Sequence, residues 1–210
     1  MHIYALFDNG TAEEIIIKLL NVEVKETLDI YFQSFRSPKV KESAKRGIES
    51  AYEAIFSKDI NAYLQKEPIS VTVKGFVQQV DGSSAGIAYA ITFASALVKD
   101  NIIDANVNFP DIVAATGEVD ISGNIKEIKN IREKILGAIS QNANIMFYPC
   151  ENSEELKLLL QKDEELDHAV KDSGIKLKAV DSILQLFFEI GVLPKSLLDK
   201  TCSVDHTEIC

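Results

Sequence analysis

Residues 81–89 read D-G-S-S-A-G-I-A-Y: two hydroxyls between glycines, behind an aspartate and directly ahead of a long apolar run. A serine held on a bend at the start of a helix can serve as a nucleophile, but its hydroxyl attacks poorly unless a base lies within hydrogen-bond reach. The usual base is histidine, and the chain has only His2, His168 and His206, two of them near the termini and one in the acidic stretch K-D-E-E-L-D-H. A Ser-His-Asp triad does not fit that distribution. Lysine can replace histidine when apolar surroundings disfavour its ammonium form. Lys134 is such a candidate, in N-I-R-E-K-I-L-G-A at 130–138. Ile131 and Ala138, three residues before and four after, share its side of a helix, whereas Arg132 and Glu133 point elsewhere. Each feature also has an ordinary reading: a Gly-Ser turn commonly caps a helix, and an amphipathic helix usually lets a lysine snorkel to water.

The elements that must hold these residues can be read from periodicity. The spacing predicts strands at Ile3–Phe7, ended by the turn Asp8-Asn9-Gly10, at Glu14–Lys25, paired with the first, and at Leu28–Phe35. Ser37-Pro38 opens a helix to about Phe56. Ile69–Phe76 alternates as a strand, Gln78–Ser83 is a loop, and Ala85–Val98 is a helix apolar nearly all round and therefore buried. Val113–Ile128 holds two strands joined at Ser122-Gly123-Asn124. A helix at Asn130–Ser140, a strand at Ile145–Tyr148, a helix from Ser153 to about Leu160, a strand at Ile175–Val180 and a final helix capped by Asp181 complete the order. Strands first, then mixed strands and helices, give an α/β or α+β domain, assigned to residues 1–191 with a polar tail at 192–210.

The 210 residues are 46% hydrophobic and 26% charged, enough for a real core, and the net charge of −10 repels phosphate backbones. Nucleic acid is excluded as the main partner. The apolar stretch 85–98 is too short to span a bilayer, and no basic leader follows Met1, so a cytoplasmic protein without membrane attachment is expected. Cys202, His206 and Cys210 fall at i, i+4 and i+8, zinc-ligand types on one helical face, but three ligands on a polar tail fit a frayed terminus better. No metal and no other cofactor is expected.

The stretch at 81–88 resembles the nucleophile motif of the Lon family of serine–lysine peptidases, whose usual form is D-G-P-S-A-G. Downstream, T-G-E-V-D-I-S-G-N-I-K-E-I-K-N-I-R-E-K-I-L-G-A at 116–138 is similar to that family's second motif, in the same order and without gaps. K-V-K-E-S-A-K-R-G-I at 39–48 and I-M-F-Y-P at 145–149 resemble a supporting helix and strand. The resemblance covers roughly residues 3–190 and implies a Lon proteolytic-domain-like fold, with mixed sheets flanked by helices. It implies Ser84 as nucleophile, Lys134 as general base, and Thr116 as a hydroxyl that bonds and orients the lysine amine. Asp81 matches an aspartate that contacts the dyad in some members and points away in others. Ser83 stands where the family has proline, which loosens the turn. The connection Val98–Asp111 is longer than usual, and Val71-Thr72-Val73 lacks the family's histidine.

The resemblance further implies a serine endopeptidase acting on unfolded proteins or peptides, and a homo-oligomer, commonly a ring of six. Family members usually carry an ATP-driven unfolding module, but no G-x-x-x-x-G-K-[ST] loop occurs here. The expectation is a stand-alone peptidase domain that uses a separate ATPase, derives from a longer chain, or handles only unfolded chains. Two rival readings are a catalytically silent module for assembly or interaction, and an anion-binding turn at the helix start. Both serine and lysine are kept, which favours the hydrolase.

Overall fold

The computed structural model describes residues 1–25, 27–56, 68–76, 81–105 and 110–193. Ten strands and six helices are described: β1 (His2–Leu6), β2 (Ala12–Glu14), β3 (Ile16–Leu19), β4 (Leu28–Gln33), α1 (Pro38–Phe56), β5 (Ile69–Lys74), α2 (Gly86–Lys99), β6 (Ile112–Ala115), β7 (Glu118–Val119), β8 (Ile125–Lys126), α3 (Ile131–Ser140), β9 (Ile145–Pro149), α4 (Ser153–Lys162), α5 (Glu164–Ser173), β10 (Lys176–Val180) and α6 (Ile183–Glu189). The larger sheet has the order β10-β9-β6-β1-β2, parallel except for β2, and a second sheet runs β3-β5-β4. Mixed sheets flanked by helices are the α/β architecture expected from the sequence.

The larger sheet divides the interior. Side chains alternate across a strand, so Ile3 and Ala5 of β1, Phe7 just beyond it, Val113 and Ala115 of β6, and Phe147 of β9 face one apolar layer with α1 and α2. Leu6, Ala114 and Met146 face another, with Ile131, Ile135 and Ala138 of α3. α2 is buried along nearly its whole length, as its composition requires. It approaches α1 so closely that a Cβ on Gly47 would lie 2.2 Å from the Gly86 carbonyl oxygen, and only glycine permits that contact.

Several elements differ from the sequence reading. The run Glu14–Lys25 is divided between sheets: β2 pairs antiparallel with β1, whereas β3 pairs with β5. Ile15 sits at the crossing, buried, with its amide bonded to Ile3. The run from Val113 contains three strands, because β6 joins the parallel sheet and only β7 and β8 form the hairpin. α5 was not expected. Ser182, not Asp181, caps α6, its hydroxyl accepting from the Gln185 amide. Apolar packing continues through Val192 and Leu193. Residues 78–80 of the predicted loop, part of the long connection (106–109), and Cys202, His206 and Cys210 lie outside the described residues.

Candidate active site

Ser84 precedes α2 by two residues, on a turn anchored from three sides. The Ser43 hydroxyl of α1 donates to the Ser83 carbonyl at 2.6 Å, and the Ser83 hydroxyl donates to the Glu118 carboxylate at 2.5 Å. The Gly117 amide donates to the Ser84 carbonyl at 2.7 Å. Ser83 therefore does not loosen the turn, as its replacement of proline suggested: its hydroxyl ties the turn to β7. Ser84 is buried, 8% exposed.

Lys134 lies in the first turns of α3, on the opposite layer of the sheet, and reaches the same point past the carboxyl end of β1. Its side chain is fully buried, with 0% exposure. Nζ lies 2.8 Å from Ser84 Oγ, 2.6 Å from Asp8 Oδ1 and 3.5 Å from the Leu6 carbonyl oxygen. The structure thus brings together the serine and lysine named from the sequence, and the amine does not snorkel. Burial pushes it below its ordinary value of 10.5, while the hydrogen bond and charge of Asp8 pull the other way. Desolvation is the larger effect, as expected for an amine with no exposed surface.

Thr116 does other work than the sequence suggested, and Asp81 takes one of the two placements the resemblance left open, away from the dyad. Thr116 is buried at the end of β6, but its hydroxyl donates to the Ser84 carbonyl at 3.4 Å, so it steadies the Ser84 backbone and not the amine. Asp81 is exposed. Its carboxylate accepts from the Ser37 hydroxyl at 2.5 Å and pairs with Lys39 at 3.4 Å, which holds it below the usual carboxylate range and ties the turn to the start of α1. Ser37 in turn accepts from the Val40 amide, the cap that the sequence predicted.

Asp8 is the site residue that sequence reasoning missed. Asp8-Asn9-Gly10 reads as a turn and nothing more. The available signal was position: Asp8 follows a strand of the parallel sheet, and in open α/β sheets functional groups gather at the carboxyl ends of the strands.

The sequence profile of the Lon protease (S16) C-terminal proteolytic domain matches residues 35–188. The chain belongs to this family. It is 30% identical over 134 residues to the Lon protease of Xanthomonas oryzae, covering 63% of this chain and 14% of that protein. It is 31% identical over 110 residues to a mitochondrial Lon protease homolog of Scheffersomyces stipitis, covering 52% and 9%. It is 31% identical over 121 residues to the Lon protease of Dictyoglomus thermophilum, covering 56% and 14%. The chain therefore spans no more than 14% of the length of these three relatives. Ser84, Thr116 and Lys134 lie inside the stretch matched to the Lon proteolytic domain, and Asp8 lies outside it.

Proposed function

We propose that the chain is a serine endopeptidase that cleaves unfolded polypeptides through Ser84 and Lys134. The observation that carries this reading is the 2.8 Å separation between a serine hydroxyl and a lysine amine with no exposed surface. A neutral amine has two donors and one lone pair. With the donors directed to Asp8 and the Leu6 carbonyl, the lone pair is left for the Ser84 hydroxyl.

The reaction then follows ordinary acyl transfer. Lys134 takes the Ser84 proton as Oγ bonds to the substrate carbonyl carbon, giving a tetrahedral oxyanion beside the start of α2, where the helix end favours negative charge. The lysine ammonium returns that proton to the leaving nitrogen as the C–N bond breaks. Lys134 next deprotonates a water, which attacks the ester carbonyl, and the released Ser84 oxygen recovers the proton. No cofactor enters the scheme.

Among the described residues no helix is long and apolar enough to cross a membrane, and none of their side chains form a cluster suited to a metal. A ring of six subunits and a separate ATPase are the assembly we propose, on the strength of the family alone, with sedimentation as the check.

The decisive experiment is labelling with a fluorophosphonate probe, followed by casein hydrolysis. Ser84 should carry the label, and Ser84→Ala should abolish both labelling and turnover, with the rate in the parent protein rising from neutral to mildly alkaline pH. An unlabelled Ser84, or undiminished casein cleavage by Ser84→Ala, defeats the proposal in favour of a silent domain.

A further inference from the structure

A base that gains a proton during the reaction needs a partner for the charge it acquires. Asp8 Oδ1 is 2.6 Å from Lys134 Nζ. Its carboxylate is 51% exposed, so water solvates the carboxylate while the amine is enclosed. The turn that presents it is fixed against α3. The Gly10 amide donates to the Phe7 carbonyl at 3.0 Å, and the Asn130 side chain reaches the Asp8 carbonyl at 3.5 Å. A Cβ on Gly137 would lie 2.7 Å from the Gly10 carbonyl oxygen, so the helix and the turn are in backbone contact.

Other charges on the surrounding elements do not act on the amine. On β2, Glu14 pairs with His2 at 2.7 Å, and Glu13 is held toward its neutral form by burial. Asp163, at the start of α5, pairs with Arg132 of α3 at 2.6 Å, and Glu133 is drawn to the same Arg132. On α5, Asp167 pairs with Lys171. Among the described residues, Asp8 is the charge that acts on the Lys134 amine.

We propose that Asp8 is a positioning residue completing a Ser84–Lys134–Asp8 relay: it aims the amine at the serine hydroxyl and stabilises the ammonium formed when that hydroxyl is deprotonated. This rests on the hydrolase reading above and adds a third member to it. In this relay no proton passes to the carboxylate. The lysine ammonium keeps its three hydrogens, one directed at Asp8, until it protonates the leaving nitrogen.

The test compares the parent protein with Asp8→Asn and Asp8→Ala by two readouts. The first is the Lys134 13Cε resonance followed against pH, assigned by its loss in Lys134→Met. The second is the pH dependence of Ser84 labelling by a fluorophosphonate. An opposite charge at contact distance favours the charged form, by about one pH unit or more. Removing it should lower the Lys134 midpoint by about one pH unit in both variants. The acid limb of the labelling profile should move down with it, and the alkaline plateau should fall about tenfold or more because the amine is no longer aimed. At one pH unit below the parent midpoint, the fraction of neutral amine then rises roughly fivefold. An unchanged or raised Lys134 midpoint overturns the proposal, as does an unchanged plateau. A merely structural role would lower labelling at every pH and leave the midpoint in place. Failure of the parent protein to label at Ser84 defeats the hydrolase reading instead, and the resonance titration still decides whether Asp8 governs the amine.

Discussion

Replacing Lys134 by methionine isolates the energetic consequence of enclosing an amine. Methionine is unbranched and of similar reach, so the space stays filled. Asp8, half exposed, keeps its hydration when its partner is lost, so no buried charge is left stranded. In the unfolded chain Lys134 titrates at its ordinary value of 10.5; in the folded chain it titrates lower, because burial outweighs Asp8. Below the folded value both states are protonated, and the parent protein carries the full cost of a buried ammonium. Between the folded value and 10.5 the unfolded state holds one more proton, so stability rises with pH. Above 10.5 the cost is gone. The slope within that window is about 1.4 kcal/mol per pH unit for a single group. Urea unfolding of both proteins at pH 7, 8, 9 and 10 measures it directly, since every other titrating group cancels in the difference. The parent should gain on Lys134→Met by up to about 1.4 kcal/mol with each pH unit, and at neutral pH the variant should be at least as stable as the parent. A difference that stays flat from pH 7 to 10 refutes the reasoning, because the folded protein would then bind the same proton as the unfolded one.

Two further substitutions test the scaffold. Gly47→Ala places a Cβ 2.2 Å from the Gly86 carbonyl oxygen and must push α1 and α2 apart; overpacking of this kind costs about 3 kcal/mol, which a lowered urea midpoint and slower Ser84 labelling will report together. Asn152 is buried, accepts from the Ile128 amide at 3.0 Å and donates to the Ile128 carbonyl at 2.9 Å. Asn152→Ala leaves both unpaired just before α3, with an expected loss of about 2–3 kcal/mol in the same assay.

Much of the scaffold was legible because its signals are local. Ser37-Pro38 fixes where α1 begins, and the unbroken apolar run from Ala85 makes α2 a buried helix whatever surrounds it. Lys134 stood out by its apolar neighbours along one helix. What escaped depends on contacts distant in sequence. Ile15 switches sheets because β5 lies beyond it, some fifty-five residues later in the chain. α5 carries few apolar residues in E-E-L-D-H-A-V-K-D-S, and its main anchor is one buried leucine, Leu166, so no stripe announces it. Thr116 and Asp8 have roles set by which strand ends meet. A hydroxyl that could reach an amine or a carbonyl oxygen chooses by tenths of an ångström, and periodicity does not resolve that.

The sheet that separates the two apolar layers also separates the partners of the dyad. Ser84 is delivered by α2 from one layer and Lys134 by α3 from the other. Neither half-molecule contains a reactive pair. Under the hydrolase proposal the site is a coincidence gate, in which the pair forms only when both layers have docked on the same strand edge. A nascent or damaged chain with one layer undone keeps its serine and its lysine but loses the 2.8 Å contact that joins them, so the proposed reaction would wait for complete folding.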